Sequence, residues 1–490
     1  MADYKHGAYA TLDRSIVTGS TQSGTVLAYV GTAPVNLVRG YKDKGVVNAP
    51  VKVSSLADAQ AKFGMAANWA DFTLCEAFAA HFQNSKGNIG PIYVINVLDP
   101  ASHKKAPQHT GNVTFANGKA TINSTTIVLD TLALQEKAEG VDYTMDYDFT
   151  KGQVILTSIA EEQLTGEIQV TYDEVDTSKL TETDIVGGVT EAGVYTGFGA
   201  VSLIYPRYNA VPTLLAAPGW SHKPKVYQAM VQASQDINGH WAAFALADIP
   251  ADSTTGTIAK AKSWKSENGY TDERSKVFWP MGKDGSGQVF HLSTMAAVEM
   301  MRVDNEHNGV PMESPSNKSV PLVAQHFGAD VANAGFDQVQ ANDLNAAGIT
   351  TAVFWGGQMV LWGPHTAAFT HGADMDSRAI FDTSIRMMQY IANSFQRDWG
   401  TVIDQPMTRG MADTIKVREQ EKAEALATMG ALIGEPVVLF LEDDNSTAEL
   451  AQGNFVWRTR GTPTPPFKSG EMRIAYTDEG FASYFDGGES

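Results

Sequence analysis

A single cysteine, Cys75, stands in the 490 residues, so no intrachain disulfide can form. Inside the apolar pattern FTLCEAFAAHF it reads as a small buried hydrophobe rather than a nucleophile. Clustered Lys and Arg are also missing, and the net charge is -19, which speaks against a general binder of nucleic-acid phosphates. Long apolar runs are absent: VVLFL at residues 437–441 falls far short of the ~20 residues a spanning helix needs. The opening MADYKHGAYA holds no apolar stretch of the signal-peptide kind. The expectation is a soluble protein made in the cytoplasm, without nucleic-acid binding or membrane insertion.

Catalytic signatures are lacking too. There is no HExxH, no P-loop and no GxSxG. Gly197-Phe198-Gly199 begins like a dinucleotide loop, but Ser202 stands where the third glycine belongs, so a tight turn before a strand at residues 201–205 is expected. His103 and His109, or His365 and His371, lack the spacing of metal ligands. Asp374 with Asp376, and Glu442 to Asp444, lack the glycine and glutamate of a calcium loop. His222 follows Ser221 and Asp248 comes later, an order that assembles no Ser-His-Asp triad of known type. No catalytic, metal-binding or cofactor-binding residue is expected, and no cofactor.

What is present describes a globular chain: 43% hydrophobic and 19% charged residues, at a length that implies two to four domains. Residues 1–24 are small and polar and read as an arm. From residue 25 to 100 the texture is α/β: a buried strand at 25–31, a helix at Leu56–Phe63 capped by Ser54 or Ser55 and stopped by Gly64, a second helix at 71–82 and a strand at 92–98. Residues 101–190 give short alternating runs at 112–115, 119–122, 125–129, 153–157 and 167–172, with turns at Asn117-Gly118 and Lys151-Gly152. That is a small antiparallel β domain inserted into the α/β one. From Asp130 to Glu191 fifteen Asp or Glu face three Lys, which reads as an acidic solvated surface.

Residues 191–342 return to strand–helix alternation and predict a mainly parallel sheet covered by helices. A C-terminal domain is expected over 343–470. It opens with a glycine-hinged hairpin, residues 350–355 and 359–362, and continues into an amphipathic helix at 379–397. Trp355 and Trp362, with Phe381, Ile385, Met388 and Phe395 on one helical face, are the expected core of that domain. A second helix at 411–431 and strands at 436–442, 453–460 and 471–476 follow, and 471–490 forms a C-terminal arm.

Several of these blocks resemble one family. L-N-x-x-G-I before the glycine pair at 356–357, then W-G-x-x-T and an Arg-led helix, is similar to the C-terminal domain of contractile phage tail sheath proteins. P-V-x-V-S-S-L-A-D-A-x-x-x-F-G at 50–64 with PIYVINV at 91–97, and DNEHNGV running to SPSNKSV at 304–320, resemble other blocks of that family. The resemblance implies a multidomain α/β and α+β fold: a subtilisin-like α/β core, an inserted small antiparallel β domain, and a C-terminal α+β sheath domain with extended terminal arms. It implies a structural, non-enzymatic subunit of a contractile tail or tail-like bacteriocin, located in the virion. Its partners would be further copies of itself in stacked hexameric rings, a tail tube protein, and baseplate and tail terminator proteins. Arms would add strands to a neighbour's sheet through Tyr9, Ile16 and Val17 at one end and Met472, Ile474, Tyr476, Phe481, Tyr484 and Phe485 at the other. Two other readings stay open, a divergent serine hydrolase on the α/β scaffold and a surface-binding module.

Overall fold

The computed structural model describes residues 24–329, 331 and 335–484. The expected strand-exchange residues Tyr9, Ile16, Val17 and Phe485 lie outside them.

Runs of apolar residues without alternation need cover on both faces, and a parallel sheet provides it. Eight strands form one sheet: β1 (Leu27–Gly31), β2 (Val51–Val53), β3 (Ile92–Asn96), β4 (Leu214–Ala216), β5 (Phe244–Asp248), β6 (Ser275–Phe278), β7 (Ile349–Trp355) and β8 (Gln358–Trp362). Their order is β8-β7-β6-β5-β4-β1-β3-β2. All pairings are parallel except at the two edges, where β2 and β8 run antiparallel to their neighbours. Every residue of β1, β3, β4, β5 and β6 is buried. Helices α1 (Leu56–Phe63), α2 (Leu74–Phe82), α3 (Pro224–Ala233), α4 (Ile258–Glu267), α5 (Leu292–Glu306) and α6 (Gln338–Ala346) accompany it. Of these α5 lies deepest, packed on α2 and on β4, β5 and β6. The start of α1 follows the sequence signal: the Ser55 hydroxyl accepts from the Asp58 amide, and Gly64 closes the helix at φ +78. A side chain at Gly64 would also meet the Pro34 carbonyl oxygen at 2.6 Å.

Between β3 and β4 the chain forms two three-stranded antiparallel sheets from residues 109–172. They enclose a separate core that includes Val113, Phe115, Leu156 and Tyr172, joined by Leu37 from the α/β body. Asn117 and Gly118, at φ +50 and +70, make the expected tight turn. Residues 125–129, expected as a strand, form none. The side-chain amide of Asn36 donates to the carbonyls of Thr125 and Ile127, using groups a strand ladder would need. Residues 201–205 are helical rather than extended, within Gly197–Leu203 and Ile204–Tyr208. Pro206 suits the first turn of a helix, where no N–H is required.

The hairpin at 349–362 belongs to the large sheet, not to a body beginning at residue 343. Ile349 and Thr350 pair in parallel with Val277 and Phe278, which extends the sheet by two strands. The C-terminal body proper consists of α7 (Asp382–Trp399), α8 (Arg409–Thr428) and the antiparallel pair β9 (Leu432–Leu439) and β10 (Arg458–Pro463). Its small core holds Val310, Met387, Leu426, Ala431 and Leu432.

The buried face of α7 differs from the expected one. Met388 is 38% exposed and Ala392 is exposed, while Phe381 and Phe395 are half-buried and Ile385 is buried. The face turned to the sheet body is polar and displaced by one residue: Asp382, Arg386, Gln389 and Asn393, at steps of four, three and four. Asp382 pairs with Lys276 of β6 at 2.7 Å, both fully buried. Arg386 pairs with Asp304 near the end of α5. Gln389 donates to the Ala243 carbonyl, and Asn393 exchanges two hydrogen bonds with the Ala242 backbone. Each of the four side chains has at least one partner, which offsets most of the cost of burying this face, although Arg386 Nη1 and Asp304 Oδ1 are buried without one. Trp355, also expected in the core, sits at the hairpin tip and is 48% exposed; Trp362 is half-buried, with its indole N–H on Asn342.

Candidate assembly interface

Two places in the fold could carry function: a buried polar cluster at the carboxyl ends of β4 and β5, and the exposed end of the C-terminal body.

At the first, Ser221 and Asp248, separated in sequence, come together. The Ser221 hydroxyl donates to Asp248 at 3.1 Å, and the Ser293 backbone and hydroxyl donate to the same carboxylate. Beside them the His291 ring meets Glu76 at 2.7 Å, and the His291 amide donates to the other Glu76 oxygen. Burial alone would lower the His291 pKa, but the Glu76 and Asp248 carboxylates outweigh it and raise the value to about 9. An imidazolium that already holds both protons accepts none from a nucleophile. Ser221 is buried and bonded to carboxylate rather than to imidazole, so the arrangement is that of a satisfied structural network. Among the described residues no three or more His, Cys, Asp or Glu side chains are grouped to hold a metal ion, and no helix is long and apolar enough to cross a membrane.

The second place is built from α7, α8, β9 and β10. β9 packs on α8, and its bulge between Ile433 and Val437 contains Gly434 at φ +75. Its outer edge is closed by a side chain. The Gln420 amide donates to the Pro436 carbonyl at 2.9 Å, and its oxygen accepts from the Val438 amide at 2.8 Å. One side chain thereby occupies the donor and acceptor that a further strand would use. Because Pro436 and Val438 turn these groups outward, the Val438–Thr459 pair is a non-hydrogen-bonded one. Thr459 must then direct its own N–H and C=O away from β9, along the far edge of β10. Residues 458–462 are all exposed. Among the described residues the sheet has one closed edge and one open edge.

Gln420→Leu is expected to cost about 1–2 kcal/mol in the C-terminal body, the price of two edge groups left without a partner. Amide exchange at Val438 would accelerate accordingly; unchanged protection there would show that the cap contributes nothing.

Beyond β10, Thr464 is tied to the Gly430 and Ala431 carbonyls, and Lys468 lies over the Phe369 ring. Residues 471–477 then run without helix or strand, where a strand was expected, because no neighbouring strand among the described residues supplies hydrogen bonds. Met472, Ile474 and Tyr476 are 83, 86 and 83% exposed, and Phe481 and Tyr484 are exposed on the short helix Glu479–Tyr484. Sequence reading singled out these apolar residues but passed over Gln420 and the β10 edge. A Gln on a helix gives no signal of the strand it will face.

No protein-family model matches the chain. Over 517 aligned positions it is 28% identical to the tail sheath protein of Burkholderia phage BcepMu, covering 99% of this chain and 98% of that one. Among solved structures, a chain of the anti-feeding prophage baseplate superposes with a TM-score of 0.56 at 14% identity, over 97% of this chain and 100% of its own length. A chain of the sheath complex of an extracellular contractile injection system, PVC, in its contracted state gives 0.54 at 12% identity, over 98% and 99%. Likeness at these identities is one of fold, and it extends from end to end.

Proposed function

From the kinship of this chain with contractile tail sheath proteins, we propose that it is a sheath subunit that polymerises as stacked hexameric rings around a tail tube. The observation that carries the proposal is the open β10 edge combined with an exposed, unpaired C-terminal segment on the same chain. An open edge presents N–H and C=O groups that an extended segment of another copy can satisfy. Each such bond contributes about 0.5–1.5 kcal/mol net, so a strand of several bonds tethers subunits while their bodies can still shift. Residues 471–490 act as one arm and 1–24 as the other, the latter through Tyr9, Ile16 and Val17. The tube, baseplate and terminator proteins are the remaining partners, in a virion or related particle assembled in the host cytoplasm. Contraction is a change between two packings of the same rings, with the arms as persistent links.

The α/β body, with a core of subtilisin-like arrangement, serves as scaffold and not as an enzyme, and the acidic insert of 101–190 faces outward. In negative-stain microscopy and sedimentation the full chain is expected to give hollow tubes or stacked rings. A chain ending at Gly470 is expected to remain monomeric with an unchanged melting profile. Tubes formed as readily by the shortened chain would sink the arm assignment.

A further inference from the structure

Asn-Gly dipeptides occur at residues 117–118, 238–239, 268–269 and 308–309. In such a pair the chain can attack itself. Glycine carries no Cβ to hinder rotation, so its backbone nitrogen can reach the side-chain carbonyl carbon of the preceding Asn. The attack needs an Asn side chain and a Gly N–H that are both free to turn toward each other. At three of the four dipeptides the fold withholds this freedom. The Asn238 amide donates to the Ser202 carbonyl at 2.8 Å, and the Gly239 N–H to the Asp236 carbonyl at 3.0 Å. The Asn268 amide donates to the Trp264 carbonyl at 2.8 Å, and the Gly269 N–H to the Ser266 carbonyl at 3.2 Å. The Gly309 N–H donates to the Asp304 carbonyl at 2.7 Å. Gly309 is also packed so closely that an added Cβ would lie 2.8 Å from the Gly24 Cα.

Asn117 differs from the other three. It is exposed in the tight turn between the insert strands His109–Phe115 and Lys119–Asn123. Among the described residues neither its side chain nor the Gly118 N–H has a hydrogen-bond partner. Its φ of +50 is close to the +56 of Asn238 and the +57 of Asn308. The backbone therefore starts from one region at all three, and the bonds on the reacting groups make the difference. We propose that Asn117 is a site of spontaneous deamidation, left open by the fold while the other three are protected. The Gly118 nitrogen forms a bond to Asn117 Cγ, the Cγ–Nδ2 bond breaks, and Nδ2 leaves as ammonia with the proton from Gly118. Water, the one co-reactant, then opens the cyclic imide at either carbonyl to give aspartate or isoaspartate. Both products add a negative charge to the insert. Isoaspartate also routes an extra carbon through a turn closed by the two hydrogen bonds between Ala116 and Lys119, at 2.9 and 3.1 Å. That turn joins a strand of one insert sheet to a strand of the other, so the modification alters the joint between them.

The test incubates the native full chain at mildly alkaline pH, digests samples at intervals and follows each Asn-Gly peptide by mass spectrometry. Isoaspartyl methylation separates the two products. Asn117 is expected to convert at least about fivefold faster than Asn238, Asn268 or Asn308, since each hydrogen bond that must open first slows the reaction roughly two- to tenfold. In the same chain unfolded by denaturant those bonds are gone, and the four sites should convert within about threefold of one another. A native rate at Asn117 no higher than at the other sites would overturn the proposal. So would an excess at Asn117 that persists undiminished in the unfolded chain, because neighbouring sequence and not the fold would then be its cause.

Discussion

Lys276→Met is expected to destabilise the chain by about 3–5 kcal/mol, because it leaves a carboxylate buried without its counter-charge. Lys276 belongs to a strand in which every residue is buried, and its ammonium has three acceptors: the Asp382 carboxylate at 2.7 Å, the Gly363 carbonyl at 2.7 Å and the His365 carbonyl at 3.1 Å. Asp382 gains further hydrogen bonds from Ser314 and from the Thr383 amide, but no second ion pair among the described residues. The methionine fills much of the volume and supplies none of the charge. The double variant Lys276→Met with Asp382→Leu should recover a large part of the loss, since replacing a whole buried pair by apolar residues is often neutral or stabilising. Denaturant midpoints of the two variants decide the matter. A single-variant loss below about 1 kcal/mol, or a double variant as poor as the sum of its parts, would mean that the pair does not hold α7 to the sheet.

Acid should weaken the same fold, and by a comparable amount. His81 is fully buried, with Nδ1 facing the Ile89 carbonyl and Nε2 facing the Tyr29 hydroxyl, each at 3.0 Å. A carbonyl only accepts, so Nδ1 carries the proton and Nε2 accepts from Tyr29: the ring is built to be neutral. Burial pushes its pKa from 6.5 down to about 4. His365 lies stacked between Phe369 and Phe381, and burial lowers it to about 4 as well.

For each ring the unfolded chain binds the proton first. The stabilisation is therefore complete above pH 6.5 and is lost as pH falls through about 4. A shift of this size corresponds to roughly 3 kcal/mol per ring. His291 has the opposite sign. Its raised pKa gives stabilisation that is complete below 6.5 and lost as pH rises through about 9. Maximal stability is thus expected near pH 6.5. His365→Phe, which keeps the aromatic stack and removes the titration, should flatten the acid limb of the stability curve. An acid limb of unchanged steepness would refute the assignment.

The sequence was most legible where one local rule decided the outcome. Ser55 and Gly64 bound α1 at both ends as the capping chemistry requires, and the unalternating runs of β1, β3 and β5 marked a covered parallel sheet. It misled where tertiary contact overruled pattern. On α7 the apolar stripe was visible, but the helix turns Arg386, Gln389 and Asn393 inward because acceptors and donors on α5 and ahead of β5 await them. A trace of this could have been read from Lys276, a cation within an otherwise sheet-like apolar stretch, which implies a buried acid elsewhere. The candidate interface was half legible. The apolar alternation of the C-terminal arm stood in the sequence, whereas the edge it would join depends on a single helix-borne amide.

That amide also fixes a valence. Under the proposed strand exchange, and viewed as a node in a lattice, a sheet capped on one side by Gln420 would accept strands at its other side alone, so a second arriving strand would have to stack on the first.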